Sequence, residues 1–159
     1  MKLHRAILLL SVVALLAIQA TAEKKSNKYA CSEPKPETLC TAANTCGSPS
    51  NPCTVNVNKE GGSASATAST SDPKKNALFC LKAGTKVVWN SSNKNTGFVI
   101  DFGPESPFEP NDPIIGGGKN QVTVEAKRPG CFKYSVGACF SGATYGMCGN
   151  SQAEAIVVP

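Results

Sequence analysis

Beyond residue 52, apolar and polar side chains alternate in short runs, each closed by turn-forming residues. The runs are 53–57 (CTVNV), 77–81 (ALFCL), 86–89 (KVVW), 98–102 (FVIDF), 121–125 (QVTVE), 131–136 (CFKYSV) and 155–158 (AIVV). A period of two turns alternate side chains to one side, so each run predicts a strand with one buried face. Ala83-Gly84, residues 90–97, a Pro/Gly-rich stretch at 103–119 and Arg128-Pro129-Gly130 separate them. No segment keeps a helical period for three turns. Many short strands in sequence predict an all-β fold, an antiparallel sandwich or small Greek-key barrel. Trp89, Phe98, Phe102, Phe132 and Tyr134 are the expected bulky core anchors.

Two stretches depart from this pattern. Residues 61–71 (GGSASATASTS) are low in complexity and fit a flexible loop or an edge strand of small side chains; a loop is expected. Residues 23–52 hold Cys31, Cys40, Cys46 and four prolines with almost no large apolar residue. Such a segment cannot bury a core of its own, so disulfides must hold its shape. At the start, Lys2 and Arg5 precede an apolar run at 6–20 and the small residues Ala20-Thr21-Ala22, the pattern of an export leader cleaved before Glu23. The apolar run is shorter than the roughly 20 residues a spanning helix needs. The expected organisation is a leader at 1–22, a Cys/Pro-rich extension at 23–52 and a barrel domain at 53–159, secreted or periplasmic, with no membrane span after cleavage.

Eight cysteines lie beyond the leader: Cys31, Cys40, Cys46, Cys53, Cys80, Cys131, Cys139 and Cys148. An even number in an exported chain predicts four disulfides. No CxxC pair occurs, which is unlike a zinc ribbon. Eight cysteines permit roughly a hundred pairings, so the connectivity is open. Among 159 residues, 16 basic and 11 acidic side chains give a formal charge of +5; without Lys2 and Arg5 it falls to +3. These charges are dispersed and carry no aromatic ladder, so no nucleic-acid partner is expected. The one histidine, His4, lies in the leader. The mature chain therefore cannot assemble a Ser-His-Asp triad, a His-ligated zinc or haem, or an ordinary blue-copper centre.

The order of features from residue 52 onward resembles the cupredoxin family, the plastocyanin-like copper proteins. The resemblance rests on Lys82-Ala83-Gly84-Thr85-Lys86-Val87-Val88-Trp89-Asn90, Phe98-Val99-Ile100-Asp101-Phe102, Pro129-Gly130-Cys131-Phe132-Lys133-Tyr134, Tyr145-Gly146-Met147-Cys148-Gly149 and Ala155-Ile156-Val157-Val158. It implies a two-sheet Greek-key barrel with a copper-site loop between the last two strands. In that family two imidazoles and a thiolate fix copper in a plane and a Met thioether caps it weakly. Cys139 and Met147 keep the family's interval, but the intervening His position is Gly142 and the first His position is near Gly97. Counted instead from Gly130, the ligand Cys falls at Val136 and Cys139 takes the place of a His. The resemblance thus implies a degenerate member without the copper histidines, and no copper ligation is carried over. Within it, Cys139 pairs with another cysteine, Cys148 for one, tying the loop shut; Cys80 and Cys131, on predicted strands, could bridge sheets. An immunoglobulin-like sandwich is the alternative, suggested by Cys80, Trp89 and a cysteine beyond Tyr134.

Other residues carry weaker signals. Asp101, Glu105 and Glu109 could form an acid–base pair or a calcium site, but they alternate with prolines and are expected to decorate a solvated loop. Gly116-Gly117-Gly118-Lys119 lacks P-loop spacing and is expected to be a flexible turn. Asn90-Ser91-Ser92 is a glycosylation sequon, meaningful only in a eukaryote. Phe108, Ile114 and Ile115 are expected to plug one end of the barrel or form a small patch for a partner.

These readings favour a non-catalytic binding or structural module without a cofactor, its partner an unknown extracytoplasmic protein or surface. A hydrolytic enzyme would have only carboxylates and lysines as bases, so no enzyme is expected. The alternative function is a sulfur-ligated Cu(I) or redox protein using Cys139, Met147 and Cys148, since soft donors suit that ion.

Overall fold

The computed structural model describes residues 29–72, 78–141 and 148–159. The leader, Ala77, Gly142 and Met147 lie outside the described residues. Nine strands are present among the described residues: β1 (Cys53–Glu60), β2 (Ser63–Ala68), β3 (Leu78–Lys82), β4 (Lys86–Ser91), β5 (Thr96–Asp101), β6 (Ile114–Gly117), β7 (Val122–Glu125), β8 (Gly130–Phe140) and β9 (Gly149–Val158). They form one barrel-like sheet in the order β6-β5-β8-β9-β2-β1-β4-β7, with β3 also on β9. Sequence neighbours are often not sheet neighbours, as a Greek key requires. The fold is all-β, with a disulfide-rich extension. Not every pairing is antiparallel: β1 runs parallel to β4, and β3 parallel to β9.

Two elements correct the reading of the sequence. Residues 63–68 form a strand, with Ala64, Ala66 and Ala68 buried and Ser63 and Ser65 exposed. The period of two is there, but in side chains too small to carry a hydrophobic signal. Nor is β2 an edge: it forms a hairpin with β1 through Gly61-Gly62 and touches β9 at Ser63 and Asn150. Gly149 makes that approach possible, because a Cβ there would collide with the Ser63 carbonyl. The second correction is β6, inside the stretch read as turns. Gly116 and Gly117 pair with Phe98 and Gly97 rather than forming a flexible turn, and the tight turn follows, with Gly117 and Asn120 exchanging backbone hydrogen bonds of 3.0 Å.

The core is a cluster of rings around Tyr134. Its ring centroid lies 4.8 Å from Phe102, 5.9 Å from Trp89 and 6.4 Å from Phe79, and Phe108 closes against Phe102 at 5.3 Å. Phe102 stacks on Tyr134 and the other pairs meet edge to face, arrangements that contribute beyond their buried area. All five expected anchors are buried. The trio in the turn-rich stretch divides: Phe108 and Ile114 enter the core, whereas Ile115 points outward. Trp89 Nε1 and Tyr134 OH are buried without a hydrogen-bond partner. Burial pushes the Tyr134 phenol well above its ordinary pKa.

Residues 29–52 lie against one end of the barrel in two short 3-10 turns (Ala30–Ser32 and Pro36–Leu39) and connecting loops. Cys31 is bonded to Cys131, Cys40 to Cys80, and Cys46 to Cys53. Cys80 and Cys131 therefore each take a cysteine from this segment rather than linking sheet to sheet. The segment also extends the sheet: the Cys80 amide donates to Asn44 and the Cys46 amide to Cys80. Glu154 of β9 accepts the amides of Ala30 and Cys31 on its two carboxylate oxygens. Ala30, Cys80 and Ile156, flanked by Cys40, Leu78, Cys131 and Val158, make a small second core outside the barrel.

Candidate functional site

Alternation in β8 sends Phe132, Tyr134, Val136 and Ala138 inward and Lys133, Ser135, Gly137 and Cys139 outward. The register sets Ser135 opposite Gln152 and Asp101, and Gly137 opposite Asn150 and Val99. Ile115 stands beside Val99 across the next pairing. The outer face of β6, β5, β8 and β9 therefore carries small or apolar groups at one end and, in its middle, Ser135 and Gln152 with the Asp101 carboxylate beside them.

Of the sequence-predicted copper positions, Gly97 and Cys139 meet at the apolar end. Gly97 lies directly across the ladder from Cys139, whose sulfur is bonded to Cys148. Val136 is in the core. A type 1 copper plane needs two imidazoles and a thiolate; these positions supply a bare α-carbon, a disulfide sulfur and a valine side chain. The residues present do not fit the group. The Cu(I) alternative also meets this bond, because a disulfide sulfur has no thiolate to donate until it is reduced. Around it, Val99, Ile115, Gly116, Gly137 and Cys148 line a shallow apolar hollow of about 460 Å³. Ile115 is 72% exposed and Val99 39% exposed.

Below it lies a polar cleft of about 670 Å³, lined by Tyr29, Ser135, Asn150, Ser151 and Gln152. Asn150 borders both spaces. Tyr29 is 40% exposed, and the Lys133 ammonium lies 5.2 Å from its ring centroid. Sequence reasoning singled out none of these five residues. The only available signal was the alternation in 149–158, which a reader of apolar runs passes over until Ala155.

The acidic residues serve separate local roles. Asp101 accepts the Gly103 amide at 2.7 Å, and Glu109 pairs with Lys127 at 3.2 Å. Glu105 lines a different cleft beside the Cys31–Cys131 bond. Among the described residues no group of three or more His, Cys, Asp or Glu side chains is placed to hold a metal. Asn90 lies on β4, half-buried, its amide 3.5 Å from Asn56.

No protein-family model matches the chain, and no curated protein matches it. Among solved structures, it is similar to oxidized amicyanin carrying a Met-to-Lys replacement and to amicyanin carrying a Met-to-Leu replacement, each at 11% identity. Each comparison covers 72% of this chain and 93% of the other, with TM-scores of 0.38 and 0.37. Amicyanin is a cupredoxin. Likeness at this level carries nothing about ligand or activity.

Proposed function

We propose that the protein is an exported, non-catalytic cupredoxin-like module that binds a partner without a type 1 copper site. The observation that supports this best is the pairing at the family's copper end: Gly97 faces Cys139, and Cys139 is closed by Cys148. The export reading draws on the leader pattern at 1–22 and on four disulfides, which persist in oxidising compartments. The non-catalytic reading draws on the lack of any imidazole beyond His4 and on the separate placement of the carboxylates.

The test is a thiol count on denatured protein, paired with equilibrium dialysis against Cu(I). The expected result is no free thiol and no stoichiometric copper. Two free thiols with one tightly held Cu(I) would replace this reading by the sulfur-ligated alternative.

A further inference from the structure

We propose that the polar cleft between Tyr29 and the β8–β9 ladder is a binding site for a neutral oligosaccharide. This rests on the reading of the protein as a non-catalytic binding module and names the ligand class.

The argument begins with what lines the cleft. Ser135 comes from β8 and Asn150, Ser151 and Gln152 from β9, adjacent strands joined by nine consecutive residue pairs. The ladder fixes the spacing of these positions along the two strands. Gly137, opposite Asn150, has no side chain, and the Val99 side chain of β5 covers it and closes the apolar end of the cleft. At about 670 Å³ the cleft falls within the usual range for ligand sites, roughly 300–1,000 Å³.

The lining chemistry selects the ligand. Asn and Gln each offer two N–H donors and an acceptor oxygen, and each Ser offers a hydroxyl that does both. The side chains of Ser135, Asn150 and Gln152 are exposed and make no hydrogen bond to any described residue. None of the five lining residues is charged. A charged ligand would lose hydration there without a counter-ion, whereas a polyol presents the alternating donors and acceptors that amides and hydroxyls match. Three charges stand beside the lining: Asp101, across the ladder from Ser135, accepts the Gly103 amide, Glu154 holds the Ala30 and Cys31 amides, and Lys133 lies against the Tyr29 ring.

Tyr29 brings an aromatic ring to the lining, of the kind a sugar's C–H face packs against, with the Lys133 ammonium near the same ring. Its position is set by the residue next to it, because the Ala30 amide is tied to Glu154 and Cys31 to Cys131. An extended peptide has a similar polar rhythm, but peptides that bind sheets do so at open edges. Along the cleft, β8 is flanked by β5 and β9, and β9 pairs with β8 on one side and with Ser63 of β2 and then β3 from Glu154 on the other. The site reads through side chains, which favours the sugar.

The experiment uses the oxidised mature chain, residues 23–159, labelled with ¹⁵N. Cellohexaose, xylohexaose, mannohexaose and chitohexaose are titrated, with an anionic oligogalacturonide and an uncharged extended hexapeptide as competitors for the assignment. At least one neutral hexasaccharide is expected to bind with a Kd below about 1 mM and to shift the amides of Ser135, Asn150 and Gln152. Gln152→Ala and Tyr29→Ala should each weaken it about tenfold or more, while Ser65→Ala on β2 should leave it unchanged. Gln152 is exposed, so its variant reports on binding even if Tyr29→Ala disturbs the N-terminal segment. No binding by any of the four sugars, shifts confined to another face, or tighter binding of the anionic sugar or the peptide would overturn the proposal. Cupric salt added to the same sample separates the two readings. A colourless sample that ignores sugars defeats only this inference, whereas an intensely coloured one defeats the module reading itself.

Discussion

Strands β8 and β9 carry one outer face from end to end, and its two ends have opposite fates. At the Cys131–Ile156 end the outward residues are apolar or cysteine, and residues 29–46 lie over them. At the Gly137–Asn150 end the outward residues are glycine, serine, amide and the bonded Cys139, and of the described N-terminal segment Tyr29 alone lines the cleft there. Strand geometry is the same at both. What differs is attachment: two disulfides and the Glu154 carboxylate hold the cover on one end, while the disulfide at the other joins neighbouring parts of the chain. The long-range crosslinks thus gather at one end, and among the described residues none reaches the other.

The largest expected effect contrasts the crosslinks directly. Cys31→Ser with Cys131→Ser opens a bond spanning 100 residues, whereas Cys139→Ser with Cys148→Ser opens one spanning 9. In the chain-entropy account the first pair costs about 4–5 kcal/mol and the second about 2–3. Urea denaturation of both double variants measures the gap, and a larger loss from the second would reverse the comparison. Ile156→Ala should next remove about 2–4 kcal/mol, because Ile156 is buried in the satellite core. Ile115→Ala, on the bare end of the same sheet, should change stability by no more than about 0.5 kcal/mol. Glu154→Gln should lose about 1–3 kcal/mol by weakening the charge-assisted bonds to Ala30 and Cys31. Amide exchange in residues 30–46 should then rise while that at the ring core holds.

Smaller effects concern titration. The Tyr134 phenol is held neutral above its ordinary pKa of 10.0, so the unfolded chain releases that proton first. Its contribution is complete below about pH 10 and falls away as pH rises further. Tyr134→Phe should be close to neutral near pH 7, since the hydroxyl has no partner, and should flatten the alkaline decline. Between pH 6 and 8 melting should scarcely change, because no imidazole follows His4. A shift of several degrees in that window would contradict it.

The elements that large side chains announce were legible from sequence. Val55, Val57, Trp89, Phe98, Ile100, Phe132 and Tyr134 mark their strands by an alternation strong enough to read directly. Ala64, Ala66 and Ala68 alternate just as strictly, but a methyl group weakly distinguishes buried from exposed. Ile114–Gly117 is too short and glycine-rich to show a period, and it becomes a strand because Phe98 and Val99 offer a partner. The reading of Gly97 and Gly142 as former histidine positions came from the resemblance; Gly97 lies opposite Cys139, and Gly142 is outside the described residues. The cleft was not, because Tyr29 and Gln152 are separated by most of the chain and meet only after two disulfides bring the N-terminal segment back. Cysteine count pointed to four bonds; the partners of Cys80 and Cys131 required the fold.

The most direct measurement is a visible absorption spectrum of the folded, fully oxidised protein before and after cupric salt is added. With Cys139 bonded to Cys148 and no imidazole beyond His4, the spectrum should stay featureless apart from free copper. An intense band saturating at one copper per chain would mean that a thiolate–copper centre forms, and the account would be wrong.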